Sequence, residues 1–77
     1  MENNNFNTQI KLIGSNIKRL RKSRKLTQEK FSESIQIEKA RLSRIENGKA
    51  NPTVKTLVRI ADALETNLSY LISSEIL

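Results

Sequence analysis

The sequence predicts an all-α fold, a compact domain of five short helices, and three observations carry that expectation. Apolar residues recur at i, i+3 and i+4 and nowhere alternate, so no segment reads as a strand. Residues that start and stop helices punctuate the chain at short intervals: Thr27, Asn47-Gly48, Pro52-Thr53 and Asn67. Between residues 26 and 47, two brief helical patterns flank a tight break, as in two helices locked at a steep angle.

The first helix is expected over about residues 8–24, with Ile10, Ile13, Ile17 and Leu20 as its apolar stripe. Gly14 inside it costs about 1 kcal/mol relative to Ala, a sacrifice that makes sense where another helix must come close. Thr27 is a good N-cap for the second helix, which ends near Ser34 or Ile35 and turns Phe31 and Ile35 inward. Small Ser32 faces the crossing, and Ile37 sits in the joint. The third helix is expected from about Glu38 to Glu46, with Leu42 and Ile45 inward and a stop at Asn47-Gly48. Its outer side then carries Lys39, Ala40, Arg41, Arg44 and Asn47. Pro52-Thr53 opens the fourth helix, whose predicted buried face is Val54, Leu57, Ile60, Ala61 and Leu64. Asn67 caps a short fifth helix holding Leu68, Leu71 and Ile72. Residues 1–9, with Asn3, Asn4 and Asn5 in a row, are expected to be a polar N-terminal extension, and residues 10–77 the folded domain.

The formal charge of +6 is unevenly spread. Residues 1–25 carry seven Lys or Arg against Glu2 alone, whereas residues 56–77 have only Arg59 against Asp62, Glu65 and Glu75. A basic front suits a polyanionic partner; a solvated basic face explains the charge alone equally well. Two helices, the second presenting basic and amide groups outward, fit a helix-turn-helix that enters a DNA groove.

Other chemistry is poorly supplied. The chain has no cysteine for disulfides or thiolate metal sites and no histidine to activate Ser32, Ser34 or Ser43. Glu29 and Glu33 form an i, i+4 pair on an exposed face and, with Glu38, read as solvated carboxylates rather than metal ligands. Nothing assembles a nucleophile, a base and an oxyanion donor, so neither enzymatic activity nor a cofactor or metal is expected. No apolar run approaches the ~20 residues that span a bilayer. The start lacks a signal-peptide pattern, which makes a cytoplasmic protein without a membrane partner the expectation.

The stretches IGSNIKRLRKSRKLTQEKFSE, IEKARLSRIENGKANPTVKTLVRIADAL and NLSYLI resemble the Xre-type helix-turn-helix family, which includes the lambdoid phage repressors and Cro proteins. Several separate elements fall at that family's spacing: Leu26-Thr27-Gln28-Glu29, the run from Ser43 to Gly48, and Asn51-Pro52-Thr53. The resemblance implies a lambda-repressor-like five-helix fold and assigns roles. Lys39, Ala40 and Arg44 match positions facing base edges, with Arg41 beside them at a base or a phosphate. Gln28, Asn47 and Lys49 match contacts to the DNA backbone, and Arg24 and Lys25 lie where phosphate should pass. Arg21 and Glu46 match a structural ion pair between the first helix and the end of the third. Independently, Arg offers paired donors to guanine O6 and N7, so Arg44 ranks first for sequence readout, then Lys39 and Arg41. Ala40 can add only an apolar touch, for example to a thymine methyl.

Three positions depart from the family pattern. Gln36 and Glu65 stand where Gly is usual, and Glu38 replaces the Ser or Thr that often caps the third helix. Glu38 is a poor cap and repels phosphate, although its charge suits a helix N-terminus.

The resulting expectation is a sequence-specific regulator of transcription that binds double-stranded operator DNA as a homodimer and controls its own synthesis. A restriction–modification controller is one such arrangement. The C-terminal quarter is apolar beyond the needs of one small core, which nominates Leu68, Tyr70, Leu71, Ile76 and Leu77 as a dimer surface. No small-molecule ligand is expected. An antitoxin or other protein-interaction module is the rival from a different class.

Overall fold

Capping side chains set where most helices begin. In a computed structural model, which describes residues 2–73 with side chains from Asn7 onward, the order is α1 (Glu2–Ser23), α2 (Gln28–Ile35), α3 (Lys39–Glu46), α4 (Val54–Ala63) and α5 (Leu68–Leu71). Thr27 Oγ1 accepts from the Lys30 N–H at 3.1 Å, Thr53 Oγ1 from the Thr56 N–H at 3.1 Å, and Asn67 Oδ1 from the Tyr70 N–H at 2.9 Å. Each satisfies a donor that the first turn leaves without a partner. Glu38, before α3, makes no such bond.

Four helix ends share one solution. Lys25, Gln36, Gly48 and Glu65 adopt left-handed backbone with φ of 60°, 60°, 72° and 59°. The next residue's N–H then returns to a carbonyl five positions back: Leu26 to Arg21 at 3.2 Å, Ile37 to Ser32 at 3.1 Å, Lys49 to Arg44 at 2.8 Å and Thr66 to Ala61 at 2.9 Å. This is the Schellman closure, which turns the chain sharply while satisfying carbonyls at the helix end. Its repetition produces the short connections that stack five helices within 37 × 24 × 20 Å.

The core is built from Ile17 of α1, Phe31 and Ile35 of α2, Leu42 and Ile45 of α3, Leu57, Ile60 and Ala61 of α4, Leu64 just after it, and Leu71 of α5. α1 packs on α3 and α5, α2 on α3 and α4, and α4 on α5. The α1–α3 crossing depends on Gly14. A Cβ there would strike the Ile45 carbonyl oxygen and lie 2.8 Å from that of Glu46. Ile37, half-buried in the joint, packs against the same core.

Two long-range polar links complete the frame. The buried Asn16 donates its amide to the Leu71 carbonyl at 2.7 Å and the Ser73 carbonyl at 3.0 Å, holding the end of α5 on α1. The Arg59 guanidinium donates to the Ile35 carbonyl, tying α4 to the end of α2.

Several expectations need correction. α1 begins at Glu2 rather than near Thr8, so the polar start is helical; prolonging an existing helix avoids the cost of nucleating a new one. Val54, expected in the core, is 64% exposed because it stands one turn ahead of the Leu57/Ile60/Ala61 stripe. Leu71, expected on a dimer surface, is fully buried in its own fold, and Leu68 packs partly against that core. Ile72 lies past the end of α5 and is half-exposed. Ile76 and Leu77 lie outside the described residues.

Candidate nucleic-acid interface

The short α3 is gripped from one side and open on the other. Leu42 and Ile45 lie in the core, while Lys39, Ala40, Arg41 and Arg44 are exposed, with Asn47 just beyond. Positions 40, 44 and 47 follow the helical repeat, so these side chains share one outward face. Among the described residues, Lys39, Arg41 and Arg44 enter no ion pair and no side-chain hydrogen bond. The face therefore carries three unpaired cations around one alanine, a surface that can donate but hardly accept.

Behind it, Glu46 anchors the helix. Arg21 Nε donates to Glu46 Oε2 at 2.7 Å and Arg21 Nη2 to Oε1 at 3.0 Å, a two-pronged pair with both side chains almost fully buried. The third arm, Nη1, donates to the Leu26 carbonyl at 2.6 Å. Gln28 Nε2 adds a bond to Glu46 Oε1 at 3.0 Å. One carboxylate thus joins α1, the first residue of α2 and the last residue of α3. Gln28, assigned by resemblance to the DNA backbone, is half-buried and bonds Glu46 through its amide, which has a second hydrogen to donate.

The loop after α3 continues this surface. Gly48 makes the left-handed turn between Asn47 and Lys49, both exposed. Asn47 Nδ2 reaches Ser43 Oγ only at 3.5 Å, the limit for a hydrogen bond. Lys25 is exposed at its own left-handed turn before α2.

The other sequence-nominated residues are not gathered here. Arg24 Nε donates to the Leu64 carbonyl at 3.0 Å and Nη2 to Glu65 Oε1 at 3.0 Å, so its guanidinium, still partly exposed, is drawn to the end of α4. Tyr70, 45% exposed, lies on α5. The links missed from sequence include those made by Asn16 and by Gln28. Asn16 falls three residues after Ile13 on the α1 stripe, a position that signals burial whatever the residue type. The Gln28–Glu46 bond has no sequence signal, because it depends on how α2 and α3 are juxtaposed.

Comparisons with known proteins agree with this geometry. Residues 17–71 match the family described as Helix-turn-helix, HTH_3. The chain is 37% identical over 65 residues to the immunity repressor protein of Bacillus phage phi105, covering 84% of this chain but 45% of that protein. It is 39% identical over 62 residues to Control protein C.MunI of a Mycoplasma species, covering 79% of this chain and 84% of that protein. The crystal structure of an HTH_3 family transcriptional regulator from Vibrio cholerae superposes with a TM-score of 0.81 at 33% identity, over 90% of this chain and 39% of that one. The chain thus spans about half or less of the phage and Vibrio proteins. The matched residues include the α2–α3 pair, its Arg21–Glu46 anchor and most of the core, and this protein belongs to the helix-turn-helix family.

Proposed function

We propose that this protein is a sequence-specific, double-stranded DNA-binding regulator of transcription that acts as a homodimer on an operator, including its own. The observation that carries this reading is the outer face of α3: three unpaired cations on a helix immobilised from behind. A free cationic helix of this width suits the major groove, which is ≈ 12 Å across and rich in acceptors at guanine edges. In this reading Arg44, Lys39 and Arg41 contact base edges and Ala40 packs on a thymine methyl. Gln28, Asn47, Lys49 and Lys25 contact the backbone, which positions the protein without reading sequence. The kinship with a phage immunity repressor supports repression of transcription. Kinship with a control protein over most of that protein's length supports a controller-type role.

The homodimer is supported by apolar surface left open at the C-terminal end, where Tyr70 and Ile72 are each 45% exposed. A single α3 reaches only a short half-site. Two copies related by a twofold axis would place their α3 helices about 34 Å apart, one turn of duplex. Selecting bound duplexes from random DNA tests the proposal. The expected result is an enriched motif with twofold symmetry and half-sites one helical turn apart. Enrichment of no motif would overturn sequence-specific recognition; a motif without symmetry would overturn the dimer.

A further inference from the structure

α1 is longer than the core requires. It crosses α3 at Gly14, yet it continues back to Glu2, roughly 18 Å farther at 1.5 Å per residue. Residues 7–11 of this overhang run beside the loop after α3. Lys11 lies directly against Gly48: a Cβ on Gly48 would come within 2.6 Å of Lys11 Cγ and 3.0 Å of Lys11 Cα. Gly48 separates Asn47 from Lys49, the pair assigned above to the DNA backbone. One turn before Lys11, Asn7 joins Ile10 in walling a cleft of about 230 Å³. Gly48, Lys49, Ala50 and Asn51 form its other wall.

The lining has the chemistry of an anion site. Lys49 lines the cleft, and Lys11 stands beside it through its contact with Gly48; both are exposed and, among the described residues, enter no ion pair. The Ala50 and Asn51 N–H groups donate to no described residue, and successive free N–H groups in a turn make a concavity that favours an anion. Asn7 and Asn51 contribute amides at the rim, while Ile10 and Ala50 supply apolar wall that suits a sugar.

We propose that the N-terminal half of α1 is itself a DNA-binding element. Asn7 and Lys11 join Lys49 and the Ala50 and Asn51 N–H groups around one backbone phosphodiester, on the flank of the half-site beyond the phosphates held by Asn47 and Gln28. The inference rests on the DNA-binding reading and adds a contact that neither the sequence nor the family resemblance assigned. Continuous duplex favours this occupant over a free anion. A strand that passes Asn47 and Lys49 carries its next phosphates toward the same open surface, because each strand presents a charge every ≈ 3.4 Å of axis.

Binding to a mixed-sequence duplex as a function of salt tests the proposal, since a backbone contact needs no operator. Lys11→Gln retains the carbons that touch Gly48, so it should melt as the wild type does. Its log K against log[salt] slope should be shallower by up to about 0.9, the limit for one phosphate contact, because Lys49 still faces the same phosphodiester. Lys18→Gln, two turns along the same face of α1, should keep the wild-type slope. On the selected operator, ethylation interference should show one flanking phosphate per half-site that matters less for Lys11→Gln than for the wild type. A wild-type slope in Lys11→Gln, or an equal drop in Lys18→Gln, overturns the proposal. Absence of salt-dependent binding by the wild type would overturn the DNA-binding reading itself, which separates the two failures.

Discussion

Glu46, the last residue of α3, holds three donors at once, two from Arg21 and one from Gln28. Replacing it with Ala strands the Arg21 guanidinium, only 6% exposed, without its counter-charge. Breaking one side of a buried pair costs ~3–5 kcal/mol, so Glu46→Ala should lower the urea midpoint sharply; an unchanged midpoint would contradict the anchoring role. Arg44 behaves oppositely, being exposed and unpaired. Arg44→Ala should leave stability within ~0.5 kcal/mol. It should weaken operator binding by ~1–3 kcal/mol and relax the preference at one base pair per half-site, as read from competition binding with single-base operator variants. The exposure of the Arg44 face was legible in the sequence because Leu42 and Ile45, three residues apart, fix which side of α3 turns inward. The fate of Arg24 was not. Its acceptors, Leu64 and Glu65, lie 40 and 41 positions away in the chain, and no local pattern connects them.

Helix ends were the most readable elements and also show where local rules stop. Thr27, Thr53 and Asn67 cap as their residue types require, and Asn47-Gly48 closes α3. Gln36 stands in left-handed backbone where Gly would be unstrained. Gln36→Gly should therefore raise stability by ~0.5–1 kcal/mol, the steric relief exceeding the added chain entropy of glycine. A lower thermal midpoint would show that the Gln36 side chain contributes more than its backbone strain costs. Gly14 tests the converse. Alanine favours a helix by about 1 kcal/mol, but its Cβ would meet the Ile45 and Glu46 carbonyls, which cannot yield without moving α3. Overpacking against backbone costs ~1–3 kcal/mol, so Gly14→Ala should destabilise the fold in a denaturant titration. The close approach at Gly14 could be anticipated from a glycine inside a helical stripe. The early start of α1 could not, since Asn-rich residues favour turns when considered one at a time.

For the whole molecule, the periodicity of apolar residues sufficed to predict an all-α fold, but the division between core and free surface at the C-terminal end needed the structure. Leu71 and Tyr70 are neighbours of similar apolar character, yet Leu71 is fully buried, its carbonyl held by Asn16, while Tyr70 stands 45% exposed. Burial there depends on where α1 lies, which the α5 sequence alone does not encode. If Tyr70 belongs to a dimer surface, Tyr70→Asp should shift the protein toward monomer in sedimentation experiments with little change in monomer stability. Its operator affinity should fall at low protein concentration; self-association equal to that of the wild type would remove Tyr70 from the interface. The central claim, that the outer side of α3 is the surface presented to the duplex, is tested most directly by NMR. Titrating selected operator DNA into ¹⁵N-labelled protein should shift the amides of α3, the first turn of α2 and residues 47–51, and leave Arg59 and Asp62 on α4 in place. Shifts concentrated on α4, with the amides of Lys39, Arg41 and Arg44 unmoved, would contradict it.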